Sequence, residues 1–356
     1  MYGSASNGAR RPRTARARGA RARGVAGGAL AGALLLGGCS SSGGGADDGD
    51  PQAGPTVRQR PESVAPYWVD PAGNAARQAR AYAEDGESAR AAQLKKIAEQ
   101  PVAEWIDSAD PRGHTARVTK AAAAADRGAL LVLYNVPQRD CGQYSKGGAK
   151  DAAAYRAWLD GVVAGIGKRT ATVIVEPDAL THTVSGACAA PELREERYRL
   201  LHDAVTRLKR LPGTTVYLDA GNPDWVRDPG ALVEPLRRAG IGKADGFALN
   251  VSNFQTTASN IAYGKRLSSM VDGKHFVVDT SRNGNGPLRG SGDERWCNPP
   301  GRALGEAPTT RTGHEKADAY LWIKRPGESD GQCRGGPAPG TWWPSYALEL
   351  ARNTKG

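Results

Sequence analysis

Short apolar runs, each leading to an aspartate, recur along the chain between residues 129 and 330. They are rich in Val, Leu, Ile and Tyr, which is typical of buried strands, and a sixth run over residues 245–254 ends in polar residues. The five that lead to an aspartate are ALLVLYNVPQRD to Asp140, TVIVEPD to Asp178, TVYLD to Asp219, HFVVD to Asp279 and YLWIKRPGESD to Asp330. The pattern predicts buried strands with a carboxylate near the end of each.

Helical sequence precedes and separates these runs, over residues 74–99, 149–166 and 191–210. Alternation of strands and helices favours a parallel sheet, and in a parallel α/β barrel the carboxyl ends of the strands meet at one rim. The aspartates would then converge in one cleft, where they raise each other's pKa values. A single aspartate at a strand end is more often a cap or a loop acceptor. Five at successive strand ends favour a site.

The first 61 residues have a different composition from the rest of the chain. Residues 1–24 hold seven arginines and no acidic residue, and residues 25–38 are small and apolar. A basic segment followed by a short apolar one is typical of an export signal, and Leu36-Gly37-Gly38-Cys39 resembles a bacterial lipobox. We expect a signal peptide over 1–38, lipid on Cys39, a flexible tether over 39–61 and a folded domain over 62–356. The alternative is an ordinary signal peptide with a chance cysteine, so the protein is either a lipoprotein at the extracellular face of the membrane or secreted.

The net charge of the chain is +11, and removal of the seven arginines of the signal leaves 11 − 7 = +4. The basicity therefore belongs mostly to the export signal, and we expect no nucleic acid as a partner. The chain has five cysteines. If Cys39 carries lipid, four remain for two disulfides, and their distribution along the chain favours Cys141–Cys188 and Cys297–Cys333. The spacing shows no zinc motif, so no metal site is expected.

Seven ordered blocks of residues resemble the motifs of glycoside hydrolase family 6, the inverting cellulases. They are Tyr134–Cys141 (YNVPQRDC), Val175–Asp178 (VEPD), Tyr217–Gly221 (YLDAG), Gly246–Asn253 (GFALNVSN), Asp279–Pro287 (DTSRNGNGP), Trp296–Asn298 (WCN) and Lys324–Asp330 (KRPGESD). The resemblance implies an α/β fold, the distorted and incomplete parallel β/α barrel of that family, and hydrolysis of β-1,4-glucans without a cofactor.

The resemblance also implies catalytic roles for four aspartates. Inversion needs a protonated carboxyl group at the leaving oxygen and a water activated on the opposite face of the sugar. Asp178 would be the acid, Asp140 the neighbour that keeps it protonated, and Asp330 the base, acting through a water. Asp219 would tune the electrostatics of the cluster, whereas Asp279 is expected to be structural, pairing with Arg282 or capping.

Aromatic and polar residues of the same blocks are expected to bind the sugar. Flat indole rings pack on the apolar faces of pyranoses while polar groups fix the hydroxyls. The resemblance implies this role for Trp105, Trp225, Trp296, Tyr134, Ser145, Asn250, Lys324 and Glu328. The remaining tryptophans considered, Trp158, Trp322, Trp342 and Trp343, are expected in the core. Two positions depart from the usual pattern, Asn222 and His182, and the histidine is interpreted as a loop residue.

The leading hypothesis is therefore an exported, lipid-anchored and monomeric endo-β-1,4-glucanase that acts on cellulose or related β-glucans. One alternative is a non-catalytic glucan-binding lipoprotein on the same fold. Another is an exo-acting cellobiohydrolase, although the short segments between the blocks favour an open groove and internal cleavage.

Overall fold

The computed structural model describes residues 66–106, 108–186, 190–290, 292 and 294–355. The predicted export signal, the tether and Cys39 lie outside the described residues, so the predicted domain bounds stay predictions. Among the described residues, no helix has both the length and the apolar character that a bilayer crossing requires.

Seven parallel strands follow one another around a curled sheet in chain order. They are β1 (Glu104–Trp105), β2 (Ala129–Leu133), β3 (Ala171–Val175), β4 (Thr214–Asp219), β5 (Gly246–Leu249), β6 (His275–Asp279) and β7 (Ala317–Leu321). The predicted α/β fold, an incomplete parallel β/α barrel, is confirmed. The strands β2 and β7 end well before Asp140 and Asp330, so both aspartates lie on the loops that follow these strands.

Helices connect the strands and cover the outside of the sheet. They are α1 (Asn74–Glu84), α2 (Ser88–Ala98), α3 (Pro111–Ala124), α4 (Ala152–Ile166), α5 (Ala179–Ser185), α6 (Pro191–Leu208), α7 (Val233–Arg238), α8 (Thr257–Met270) and α9 (Pro344–Asn353). The predicted helical stretch 74–99 is two helices, because the chain turns at Gly86, whose φ of 79° is the left-handed conformation that glycine adopts without a steric penalty.

Alternate residues of each strand face opposite sides of the curled sheet. Leu131, Val173 and Val216 pack outward with the helices in the main core, whereas Leu130 and Ile174 belong to a smaller cluster that fills the inside. This period of two lets the same strands bury both faces. The predicted core position of the remaining tryptophans holds for Trp158 and Trp322, which are buried, while Trp342 and Trp343 are half-buried.

The two edges of the sheet meet at a narrow seam. Val102, just before β1, forms an isolated parallel bridge with Trp322, just after β7, and the Ala103 amide donates to the Trp322 carbonyl over 3.0 Å. The Arg325 guanidinium lies 2.9 Å from the Glu104 carboxylate across the same seam. One bridge and one ion pair thus bring the first strand beside the last.

One of the two predicted disulfides is present. Cys297 and Cys333 are joined, with a Cα–Cα separation of 6.3 Å, so that the segment after Asp279 is tied to the segment that carries Asp330. Cys188 lies outside the described residues, and the pairing Cys141–Cys188 stays a prediction.

Candidate active site

A cavity of about 540 Å³ lies at the carboxyl ends of the strands. Asp140, Asp178 and Asp330 all line it, although each belongs to a different segment. The predicted sugar-binding residues that line it are Trp105, Tyr134, Ser145, Trp225, Trp296 and Lys324. Asp219 lies directly behind Asp178. The parallel topology therefore brings together the four aspartates that the sequence singled out.

Asp178 sits on a turn that β3 leads into and immediately precedes α5. The Asp178 amide donates to Asp219 Oδ2 over 2.9 Å, and the Tyr134 hydroxyl lies 3.4 Å from Oδ2 of Asp178. Burial, followed by the charge of Asp219 and by a smaller effect of Asp140, raises the pKa of Asp178 from its ordinary 3.8 to about 7, although His182 lowers it by more than Asp140 raises it. Asp178 can therefore hold a proton near neutral pH.

Asp219, the last residue of β4, also has a raised pKa of about 7, with burial as the main cause. The two carboxyl groups are coupled, and the hydrogen bonds decide which of them keeps the proton. Asp219 Oδ2 accepts from the Asp178 amide and from the Gly221 amide (3.2 Å), and such bonds favour a carboxylate. The Asp178 carboxyl group accepts a long hydrogen bond from the Tyr134 hydroxyl. Among the described residues, no pair of backbone amides donates to it. The shared proton therefore belongs on Asp178.

Asp140 lies on the loop after β2, close to Asp178. Its Oδ2 accepts the Ser145 amide over 2.7 Å, and its Oδ1 lies 3.5 Å from Nε2 of His182. His182 is buried in α5 and meets the Trp225 ring edge-on at 5.0 Å. The expectation that His182 is a loop residue is wrong, since it is helical and lines the cavity between the acids and a tryptophan.

Asp140, Asp178 and His182 each offer a ligand atom within 4.8 Å of the other two, which makes them the group of described residues best placed to hold a metal ion. Of these three residues, Asp178 is the one that holds the proton, and Asp140 is a neighbour that helps to keep the proton there. A metal there would compete with that proton, so the arrangement fits acid chemistry better than a resident cofactor.

Asp330 lies across the cavity in a different electrostatic setting. Its Oδ2 accepts from Arg282 Nη1 over 2.9 Å and from the Asn298 amide over 3.0 Å, and its Oδ1 lies 3.6 Å from Lys324 Nζ. Arg282 is fully buried, and its guanidinium covers the Phe254 ring at 4.4 Å. The cavity thus pairs a carboxyl group among other acids with a carboxylate between two cations.

Asp279, expected to be structural, accepts four backbone amides. Its carboxylate receives the amides of Ser252 (3.0 Å), Ser281 (3.0 Å), Ile323 (3.3 Å) and Lys324 (2.9 Å), which come from three loops of the rim. Arg282 makes its ion pair with Asp330 instead of Asp279. Asp279 therefore holds the rim together.

The aromatic side chains form edge-on pairs around the cavity. The Trp105 ring meets Tyr134 at 5.3 Å, and its indole nitrogen donates to the Ile323 carbonyl over 2.9 Å. Trp296 meets Tyr144 at 6.0 Å. These contacts fix the rings while leaving them half-exposed, as platforms for a sugar require.

Two predicted sugar-binding residues do not line the cavity. Asn250 is fully buried, and its amide group is used by the backbone of Gln255 and by the Asp279 carbonyl. Glu328 is buried beside Arg325, 3.1 Å away, and bonds Asn74. Both side chains bind other segments of the protein and stabilise its loops. A position within a family motif therefore did not show that the residue contacts a ligand.

Several residues of the site were not found from the sequence. Arg282 and Asn298 bind Asp330, although the motifs that contain them were recognised. Glu176 and Arg197 lie under the acids and are buried. Glu176 stands inside the VEPD block, which could have drawn attention to it, whereas Arg197 is one of several arginines of α6.

A carboxyl group that can hold a proton near neutral pH and faces a second carboxylate across a tryptophan-lined cavity is typical of glycoside-cleaving enzymes. The sequence profile of the family "Glycosyl hydrolases family 6" matches residues 62–354. The chain belongs to this family.

Known members of the family resemble the chain over most of its length. It is 42% identical over 299 residues to endoglucanase A of Cellulomonas fimi, covering 83% of this chain but 63% of that protein. It is 42% identical over 296 residues to endoglucanase 1 of Streptomyces halstedii, covering 80% of this chain and 88% of that protein. The structure of the endoglucanase Cel6 from Mycobacterium tuberculosis, in complex with a methyl-cellobiosyl-thio-cellobioside, is 46% identical with a TM-score of 0.76, covering 81% of this chain and 97% of that one.

Proposed function

We propose that the protein hydrolyses internal β-1,4-glucosidic bonds of cellulose or related β-glucans with inversion of configuration. The single observation that carries this proposal is the half-buried Asp178 at the wall of the cavity, whose pKa is raised to about 7 by burial and by the charges of Asp219 and Asp140. The related endoglucanases support the reaction and the substrate class. A cellobiosyl ligand bound to one of those proteins indicates the kind of chain the cavity takes.

The reaction needs no covalent intermediate. Asp178 donates its proton to the glycosidic oxygen as the bond between that oxygen and the anomeric carbon breaks. A water attacks the anomeric carbon from the opposite face, and its proton leaves through a second water to Asp330. Asp178 is then reprotonated from solvent, with Asp140 and its neighbour Ser145 beside the path. The tryptophans hold the chain while the central sugar distorts.

Internal cleavage is proposed for two reasons. The relatives at 42% identity are named endoglucanases. In addition, the segments that join the motif blocks are short, which favours a groove that admits the middle of a polysaccharide.

The test is hydrolysis of a soluble β-glucan, followed by viscosity, by reducing ends and by the anomeric form of the first product in proton NMR. We expect α-anomers first and a fall in viscosity at low extents of cleavage. Asp178→Asn should lower the rate by about 10²–10⁴-fold while binding of cello-oligosaccharides is kept. A cellobiosyl fluoride, which needs little protonation, should be partly spared.

Other outcomes would contradict the proposal. Retained configuration, or near-normal activity of Asp178→Asn, would refute the mechanism. Steady release of cellobiose without loss of viscosity would favour an exo-acting cellobiohydrolase. Tight glucan binding without hydrolysis would favour a non-catalytic glucan-binding protein.

We also propose that the protein works outside the cell as a monomer anchored by lipid on Cys39. The support is the basic and apolar character of residues 1–38, the lipobox-like sequence and the tether composition of 39–61. Intact mass of the protein from the membrane fraction should show acylation at Cys39, and light scattering of the released domain should give one chain. A soluble mature form beginning after Cys39, with no acylated species, would refute the anchor.

A further inference from the structure

The two turns that carry Asp140 and Asp178 contain an unusual concentration of non-glycine residues in left-handed conformations. In the first turn φ is 53° at Gln138, 59° at Asp140 and 48° at Cys141, and in the second it is 50° at Glu176 and 69° at Asp178. L-residues adopt these angles at an energetic cost, and such conformations persist where the surrounding structure imposes them. Something must therefore hold both turns.

One holding group comes from the second turn and binds the first. The Glu176 side chain is buried, and its carboxylate accepts the Asn135 amide and the Val136 amide, each over 2.9 Å. These two amides begin the loop that leads to Asp140. Glu176 precedes Asp178 by two positions, so a single side chain joins the backbones that carry the two acids.

The other holding group comes from α6, behind both turns. The Arg197 guanidinium, which is 1% exposed, donates to the carbonyl of Gln138 over 3.2 Å and to that of Pro137 over 3.4 Å. It also donates to the carbonyl of Ala179, next to Asp178, over 3.3 Å. Arg197 thus binds carbonyls of both turns, whereas Glu176 belongs to the second turn and binds two amides of the loop that leads to the first.

The two holding groups have opposite charges and are both removed from solvent. Among the acidic groups that act on the Arg197 guanidinium, Glu176 has the largest effect, ahead of Asp178. Loss of either partner would leave a buried charge without compensation. Neither Arg197 nor Glu176 lines the cavity, so neither can act by touching the substrate.

We propose that Arg197 and Glu176 are positioning residues that fix the separation of Asp140 and Asp178 by clamping their left-handed turns together. The inference rests on the proposed function, since it deepens the account of that acid pair. The charged and titratable groups that act on Asp178 are Asp219 from β4, His182 from α5, Asp140 from the first turn, Tyr134 after β2 and Arg197 from α6. The clamp sets the Asp140 distance through the loop after β2, which Glu176 and Arg197 both bind.

The experiment compares Arg197→Lys with Arg169→Lys, because lysine keeps the positive charge that acts on Asp178 and loses the guanidinium fork. Arg169 also binds backbone and side-chain groups, at Gly165 and Thr119, but lies away from the cavity. In Arg197→Lys we expect kcat to fall about 10–100-fold with KM within about threefold, as a small misplacement of catalytic groups produces. The basic limb of the kcat–pH profile should move to lower pH, because a more distant Asp140 repels the Asp178 carboxylate less. Arg169→Lys should change neither quantity.

A purely structural role for Arg197 would lower the folded fraction without moving the pH limb, so an unmoved limb at a temperature where the variant is folded would overturn the inference. In an Asp140→Asn background, Arg197→Lys should no longer move the limb, and a full shift there would also overturn it. If Arg197→Lys does not fold, Glu176→Gln, which keeps the shape and one acceptor, carries the same comparison.

Failure of the proposed function is distinguishable from failure of the clamp. A wild-type protein that releases no sugar refutes the function. The clamp is then judged from crystal structures of the wild type and Arg197→Lys: displaced turns with a changed Asp140–Asp178 separation support it, and superimposable turns refute it.

Discussion

Replacement of Asp219 by asparagine should shift the pH dependence of the reaction without dismantling the site. Asp219 Oδ2 accepts the amides of Asp178 and Gly221, and an asparagine oxygen can accept both. Its Oδ1 is buried and has no hydrogen-bond partner among the described groups. The substitution therefore keeps the shape and the bonds of the turn and removes the charge.

The expected change in pKa follows from the electrostatics of the pair. The pKa of Asp178 is raised from 3.8 to about 7, and a pKa difference of one corresponds to about 1.4 kcal/mol. Two unit charges about 5–6 Å apart in an effective dielectric of 20 repel by about 3 kcal/mol, which would change a pKa by about 2. Because the shared proton lies on Asp178, Asp219 carries a full charge when Asp178 loses that proton. Its removal should lower the pKa of Asp178 by about 2.

The assay is kcat against pH on a soluble β-glucan. The basic limb reports deprotonation of the acid in the bound state, so it should move to lower pH by about 2, and activity above that limb should fall about 100-fold. Asp151→Asn is the matched control, since Asp151 accepts the Ala154 amide at the start of α4 and lies outside the cavity. A basic limb that stays in place in Asp219→Asn, or moves upward, would refute the electrostatic account of Asp178.

Three further predictions concern stability. The pKa of Asp178 is raised in the folded protein. The contribution of its carboxyl group to stability is therefore present below about pH 4 and is lost as pH rises through about 7. By calorimetry, Asp178→Asn should raise Tm at pH 8 and leave it nearly unchanged at pH 4. An equal change at both pH values would contradict this. Removal of the Cys297–Cys333 disulfide, by paired serine substitution, should cost about 2–4 kcal/mol in denaturant unfolding, and reduction of the wild type should cost the same. Arg325→Met, which removes the cation shared by Glu104 and the buried Glu328, should cost about 1–3 kcal/mol, and an unchanged unfolding midpoint would show that these two ion pairs contribute nothing.

The sheet was largely predictable because a buried parallel strand has a strong sequence signal. Runs such as Ala129–Leu133 and Ala171–Val175 are apolar on both faces, as strands covered on two sides must be. The first strand, Glu104–Trp105, could not be predicted from such a signal, since it is two residues long and contains a charge. The break at Gly86 within a segment of helical composition was likewise missed, because one glycine leaves the local composition unchanged.

The candidate site was predictable where its residues carry distinctive chemistry, and not where they act through packing. Asp140 and Asp178 were found because carboxylates follow two buried strands in recognisable motifs. Arg197 was missed because α6 also contains Arg194 and Arg199, and their sequence surroundings are similar. Only the packing of the helix shows which arginine is turned inward. Asn250 was misread for the complementary reason, since a polar residue in a motif can serve the backbone instead of a ligand.

The seam between the sheet edges has a consequence for how the protein folds and opens. Each strand from β2 onward can add to the strand that precedes it, but Val102 and Trp322 are separated by 322 − 102 = 220 positions and can meet only when the whole sheet exists. Contacts of such sequence separation form late, and a region held by few backbone hydrogen bonds exchanges its amide protons early. The Ala103 amide should therefore exchange faster than the amides of β3 and β4. Slow breathing of the protein would begin at this seam, next to Trp105, whose ring contacts Tyr134 and through it Asp178, so opening would disturb this end of the cavity first.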